Sequence, residues 1–131
     1  MRPVDPAAEG STYPEVRFEV TPDRVRAFSE VLGSGSGVAP TFPTAAEFAI
    51  LPQIVADPRL DMDFTRVVHG SQEYVFERPL RLGETLVVRA TLESIKIRGT
   101  NGFLTIVTDL VDEAGSLVVR CRSIMIERSA P

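Results

Sequence analysis

The sequence is poor in residues that staple, anchor or charge a protein, and each shortage removes a class of function. Its single cysteine, Cys121, rules out an intrachain disulfide framework and fits a reducing compartment. In the apolar-polar pattern of a late strand, that thiol reads as buried and inert. The single histidine, His69, leaves a metal site without companion ligands. No window approaches the roughly 20 apolar residues of a membrane span. The Pro-, Ala- and Gly-rich start lacks the apolar centre of a signal peptide, so a cytoplasmic location is expected. Fourteen basic residues against 18 acidic ones give a net charge of −4, so no overall positive field recruits nucleic acid. Internal repeats and low-complexity tracts are absent.

What is present suits one domain. The chain has 131 residues, 44% of them apolar, enough to bury a single core. The expected organisation is a flexible N-terminus over residues 1–12, one domain over 13–128 and a tail over 129–131. Residues 13–20 alternate Val16, Phe18 and Val20 against Glu15, Arg17 and Glu19, the period of a strand with one wet face. Thr21, Pro22 and Asp23 then supply a capping hydroxyl, a proline for the first helical position and an early acid. Val25, Phe28, Val31 and Leu32 recur at helical spacing up to a stop at Gly33. Residues 33–43, rich in glycine and proline, read as a flexible loop.

Thr44-Ala45-Ala46-Glu47 reads as a capping box, which gives Glu47 a structural role at a helix start. The body of that helix, residues 45–56, carries Ala46, Phe48, Ala49, Ile50, Leu51, Ile54 and Val55. It is apolar on nearly every side and must be surrounded, with Pro52 expected to bend it. Beyond residue 65 the chain reads as sheet: strands at 67–76, 84–97, 103–111 and 117–127, rich in Val, Ile, Thr and Phe. Turn residues at 79–83, 99–102 and 112–115 supply hairpin connections. A strand, an enclosed apolar helix and an antiparallel meander make an α+β fold in which the sheet curls round the helix, the hot-dog arrangement. A single such unit leaves a strand edge open, so dimerisation is expected.

Two stretches carry a family likeness. Ala39-Pro40-Thr41-Phe42-Pro43-Thr44, and the run from His69-Gly70-Ser71-Gln72 through Phe76-Glu77-Arg78-Pro79 to Gly83-Glu84, resemble the N-terminal domain of MaoC-like dehydratases. The chain is similar in particular to the A-type, acyl-holding subunits of actinobacterial hydroxyacyl-carrier-protein dehydratases. The resemblance implies a hot-dog fold, no cofactor, and substrates that are acyl chains thioesterified to coenzyme A or acyl carrier protein. The reaction it implies is reversible hydration of a trans-2-enoyl thioester, which needs a base for water, an acid for the α-carbon and a polarised carbonyl. Active members supply an Asp and a His in a motif running Asp, any residue, Asn, Pro, an apolar residue, His. With that proline on Pro40, Gly37 takes the aspartate position and Phe42 the histidine position, so the dyad is missing.

That departure fits a substrate-holding subunit, forming a homodimer or a heterodimer with a catalytic MaoC-like subunit. Under the resemblance, Pro40, Thr41, Phe42, Thr44, Ala45, Phe48 and Ala49 line the acyl channel, and free amides at residues 44–46 face the thioester carbonyl. Arg78 and Arg98, with Arg81 and Lys96 nearby in sequence, are candidates for the phosphates of the thioester carrier. His69 and Glu47 are the candidate catalytic groups. The His69-Gly70 pair resembles one that active members place on the central helix, whereas here it opens a strand. Glu47 gives an alternative reading as a hot-dog thioesterase, since a desolvated carboxylate on that helix can act as base or nucleophile. A binding or scaffolding module without a thioester ligand is the other alternative. Asp61 and Asp63 match no calcium ligand set and read as solvated loop acids.

Overall fold

Alternation of apolar and polar residues builds most of the molecule. The computed structural model describes residues 5–32 and 38–128. Strands β1 (Val16–Glu19), β2 (Val67–Phe76), β3 (Thr85–Arg98), β4 (Asn101–Val111) and β5 (Leu117–Glu127) accompany helices α1 (Pro22–Leu32) and α2 (Pro43–Val55). The five strands form one sheet in the order β1-β3-β4-β5-β2, antiparallel at every step. Leu86, Val88, Ala90 and Leu92 of β3 and Leu104, Ile106, Thr108 and Leu110 of β4 are buried in the alternate phase of their strands. The other phase carries ion pairs such as Arg120–Asp109 at 2.8 Å and Arg122–Glu93 at 3.0 Å. Exposed pairs of this kind each contribute about 0–1 kcal/mol, so apolar burial on the inner face carries the stability.

The start of α1 forms as its sequence dictates, with Thr21 Oγ1 accepting from the Arg24 amide at 3.2 Å. Val25 and Phe28 turn inward, while Val31 is 85% exposed and contributes nothing to the core. The expected stop at Gly33 and the glycines up to Gly37 lie outside the described residues.

Helix α2 begins differently from expectation. Its N-cap is Phe42, without a side-chain cap hydrogen bond, and Pro43 occupies the first turn. There is no capping box: Thr44 is hydrogen-bonded to the Tyr74 hydroxyl of β2, and Glu47 turns into the interior. Proline at the first helical position needs no donor partner, which makes a side-chain cap dispensable. The helix runs through Pro52 to Val55. It is not enclosed on all sides either. Ala46, Glu47, Ile50 and Ile54 are buried against the sheet, whereas Phe48 is 63% exposed. One sheet covers one face of a helix, so Phe48, Leu51, Pro52, Val55 and Ala56 form an apolar strip beside Phe64.

Topology supplies a second correction. The turn residues at 79–83 do not close a hairpin, because β2 pairs with β5 while β3 lies between β1 and β4. They carry the chain from one edge of the sheet towards the other, with Gly83 at a φ of 88°. Turn chemistry is local, but the choice of pairing partner is made by the curl of the whole sheet. The N-terminal segment supplies a third. Residues 5–12 do not trail loosely: Ala8 is fully buried, the Gly10 amide donates to Leu92 O at 2.7 Å, and the Leu92 amide donates to Ser11 O at 2.9 Å. β1 pairs β3 only through residues 85–88, and this segment covers the next stretch of that edge, as unpaired edges require. Tyr13 ties it to the end of α2, its hydroxyl donating to Asp57 Oδ2 at 2.9 Å.

Candidate functional site

The inward face of α2 and the inner faces of β2, β4 and β5 do not meet completely. They leave a cavity of about 240 Å³. Thr44, Glu47, Phe48, Ile50, Leu51 and Ile54 line it from α2, and Phe64, Val67, His69 and Gln72 from β2 and the turn before it. Ile106 and Thr108 of β4 and Ser123 and Met125 of β5 form its floor. The wall is mostly apolar, with one cluster of polar groups, as in a small-molecule site.

That cluster centres on Glu47. Sheet register sets Gln72 opposite Ser123, and Ser123 opposite Ile106, in one cross-strand row. The α2 turn holding Glu47 packs over this row. Ser123 Oγ lies 2.8 Å from Glu47 Oε2 and 2.7 Å from Gln72 Oε1. Gln72 Nε2 donates to Glu47 Oε2 over 3.3 Å. Glu47 Oε1 is buried without any hydrogen-bond partner. Burial pushes the Glu47 carboxyl above the ordinary 4.5, against the opposing pull of the Ser123 and Gln72 hydrogen bonds and of His69. A carboxyl raised by desolvation at a cavity wall is a recognisable feature of functional sites.

The two candidate catalytic residues, Glu47 and His69, therefore line the same cavity although they are 22 positions apart. His69 is exposed on β2 beside a break in register between His69 and Ser71. Gly70 fills that break, where an added Cβ would lie 2.9 Å from Ile126 Cδ1. Among the described residues no group of three or more His, Cys, Asp or Glu could hold a metal ion.

The channel residues fare unevenly. Thr44 and Phe48 line the cavity. Phe42 does not: it is 1% exposed in the core, with its ring 5.4 Å from Phe28 and 6.0 Å from Phe18. Ala45 and Ala49 are half-buried and pack against the core. Pro40 and Thr41 are exposed, Pro40 beside a separate open depression formed with residues 76–80. The amides at 44 and 45 are not free. They donate to Thr41 O at 3.0 Å and Phe42 O at 2.9 Å, closing the turn into α2.

Nor do the two arginines form one phosphate site. Arg78 is committed to Glu84, with Nη2 to Oε1 at 2.7 Å and Nη1 to Oε2 at 3.1 Å, and it also donates to Pro79 O at 2.9 Å. It braces the crossover near the start of β3. Arg98 closes the other end of β3, its guanidinium 5.6 Å from the Phe103 ring. Cys121 is fully buried, and burial pushes its thiol upward, as expected of an inert sulfur.

Gln72, Ser123 and Thr108 are the polar cavity residues that sequence reasoning missed. Ser123 left a signal: it stands in the buried phase of β5 with Val119 and Cys121, where an apolar residue would be the default. No helix is long and apolar enough to cross a membrane among the described residues.

Known proteins agree with this architecture. A UPF0336 protein of Streptomyces avermitilis is 33% identical over 145 aligned positions, covering 97% of each chain. One from Streptomyces coelicolor is 32% identical with the same coverage. Among solved structures, a MaoC-like dehydratase from Rhodospirillum rubrum superposes with a TM-score of 0.64 at 17% identity, over 95% of this chain and 94% of that one. The C-terminally truncated HadBC complex of Mycobacterium tuberculosis gives 0.63 at 21% identity, over 91% and 96%. These neighbours share the hot-dog fold. The family model of the FAS1-like dehydratase domain region matches residues 7–121, and with that match spanning most of its length, the chain belongs to this dehydratase family.

Proposed function

We propose that the chain holds the acyl part of a thioester in the cavity under α2, as the non-catalytic, substrate-holding half of an enoyl-thioester hydratase or 3-hydroxyacyl-thioester dehydratase. The observation that carries this reading is the fate of position 42. The family's histidine position holds a phenylalanine packed between Phe18 and Phe28, while a mostly apolar cavity of about 240 Å³ persists under α2 without it. A binding pocket is retained where the proton-transfer position is given over to packing. The dyad would then come from a second chain. β2 supports that pairing, because among the described residues it is a sheet edge whose strand partner is β5, with Val68, Val75 and Phe76 exposed on it. One fold neighbour, the HadBC complex, is described as a 3R-hydroxyacyl-ACP dehydratase, which supports thioesters of acyl carrier protein or coenzyme A as ligands.

The test is hydration of crotonyl-CoA and of a long-chain trans-2-enoyl-CoA by the purified chain, with its native mass and its thermal stabilisation by acyl-CoA measured alongside. No turnover, a dimer and stabilisation by acyl-CoA are expected. Turnover abolished by substitution of His69 or Glu47 overturns the non-catalytic part. A second reading, a thioesterase acting through Glu47, draws on that carboxyl's burial at the cavity wall. Release of free coenzyme A from saturated acyl-CoA separates it, since hydration leaves the thioester intact.

A further inference from the structure

Two apolar recesses lie on either side of one row of side chains. Helix α2 turns Glu47, Ile50 and Ile54 towards the cavity of about 240 Å³. Phe48, Leu51, Pro52 and Val55, spaced i, i+3, i+4 and i+7, make a separate stripe on the helix. With Ala56 and Phe64 that stripe lines an open groove of about 470 Å³. Phe48, Leu51 and Phe64 line both the groove and the cavity, so these three side chains form the partition between them.

The partition is loosely held. Among the described residues none of the three belongs to the core cluster or packs against it, and Phe48 and Phe64 are 63% and 42% exposed. The backbone around Phe64, by contrast, is tied down. The Asp63 amide donates to Glu127 Oε2 at 2.7 Å, the Arg66 amide to Asp63 O at 3.0 Å and the Arg128 amide to Arg66 O at 2.9 Å. A ring on a fixed turn moves by changing rotamer alone, on the picosecond-to-nanosecond scale of exposed side chains. The groove is lined by no charged or hydrogen-bonding side chain, and its stripe from residue 48 to 55 runs about 10 Å along α2. Contiguous exposed apolar surface marks a binding site, and one without polar groups suits an alkyl chain.

We infer that Phe64, with Phe48 and Leu51, is a chain-length gate through which the end of a long acyl chain passes from the cavity into the groove on the outer side of α2. Short chains fill the cavity alone. Long chains turn the Phe64 ring aside and bury their last carbons along Leu51, Pro52 and Val55, so the protein favours long-chain thioesters. This rests on the acyl-binding reading given above. The shared wall is what assigns the groove to the tail of the same ligand and not to a second protein chain, because a surface for a partner has no need to open into the cavity.

The experiment is calorimetric binding of octanoyl-, dodecanoyl- and hexadecanoyl-CoA to the full chain and to Val55→Glu, with the native mass of each protein. Val55 lines the groove and not the cavity. Hexadecanoyl-CoA is expected to bind at least about tenfold tighter than octanoyl-CoA, a modest part of what burying the extra carbons can supply. Val55→Glu is expected to bring hexadecanoyl-CoA down to the octanoyl level and to leave octanoyl-CoA and the native mass unchanged. If octanoyl-CoA binds and hexadecanoyl-CoA is no tighter, or if Val55→Glu keeps the ratio, the gate is refuted and the acyl-binding reading stands. A dimer that Val55→Glu turns into a monomer makes the strip a subunit contact and refutes the gate as well. If no chain binds, both fall. Should Val55→Glu fail to fold, Phe64→Trp decides by the same ratio, which a bulkier gate is expected to reduce and an irrelevant one to leave as it is.

Discussion

Phe42→His places a histidine where the motif of the resemblance would have one, and the structure predicts damage in place of activity. The Phe42 side chain is 1% exposed and makes ring contacts with Phe28 at 5.4 Å, edge on, and Phe18 at 6.0 Å. It is absent from the cavity wall. Removing a buried phenylalanine ring costs about 3–5 kcal/mol, of which each aromatic pair accounts for about 0.5–1.5 kcal/mol. An imidazole recovers part of the volume but brings polar nitrogens into an apolar site, at about 1–3 kcal/mol if they find no partner. The expected net loss is about 3–5 kcal/mol, a large share of the 5–15 kcal/mol typical of a folded domain. The chain has no tryptophan, so urea unfolding is best followed by circular dichroism. A midpoint shift of roughly 2 M is expected for an m-value of about 2 kcal/mol/M. A loss below about 1 kcal/mol, set against those packing costs, or any gain of enoyl-CoA hydration, would show that position 42 faces the ligand and would refute the core assignment.

Other outcomes follow from the polar contacts. Because burial raises the folded-state pKa of Glu47 above 4.5, the folded protein holds this proton more tightly than the unfolded chain. Stability therefore falls as pH rises above 4.5 towards the folded value. Glu47→Gln should remove that slope in pH-dependent thermal melts, being less stable than wild type at acid pH by about 1 kcal/mol for one disturbed hydrogen bond to Ser123 or Gln72 and gaining on it as pH rises; parallel profiles would contradict this. Hydrogen bonds from Arg59, and then from Tyr13, hold the Asp57 carboxyl down at about 2. That stabilisation is complete above the unfolded value of 3.8 and is lost as pH falls towards 2, so Asp57→Asn should flatten the acid limb of unfolding. If the limb is unchanged, the Arg59–Asp57 pairing that holds this carboxyl down is not formed. Gly70→Ala places a Cβ 2.9 Å from Ile126 Cδ1 and 3.3 Å from Ile124 O. The isoleucine tip can swing away but the carbonyl cannot, and a loss of about 1 kcal/mol is expected; a stabilised variant would argue against the break in register at His69.

Much of the architecture was decided by sequence alone. Enrichment in Val, Ile, Thr and Phe located β2 and β5 at Val67–Phe76 and Leu117–Glu127, because β-branched and aromatic residues suit extended chain. Thr21-Pro22-Asp23 fixed the start of α1, because capping is a contact between neighbours. That position 42 carries a phenylalanine was likewise legible from residue identity.

Tertiary structure decided the rest, and in each case the reason is distance along the chain. Thr44 and Glu47 read as a capping box because they stand three residues apart, yet Tyr74, Gln72 and Ser123 claim them from 25 to 76 positions away. Whether residues 79–83 turn back or cross over depends on which strand is free to pair, and no local sequence records that. Residues 5–12 looked unstructured because they are rich in small residues, but β3 outruns β1 and leaves an edge that they cover. The site is the extreme case. Its cavity exists only where the inner faces of α2, β2, β4 and β5 converge, and convergence is a property of the packed sheet and helix, not of any segment within them.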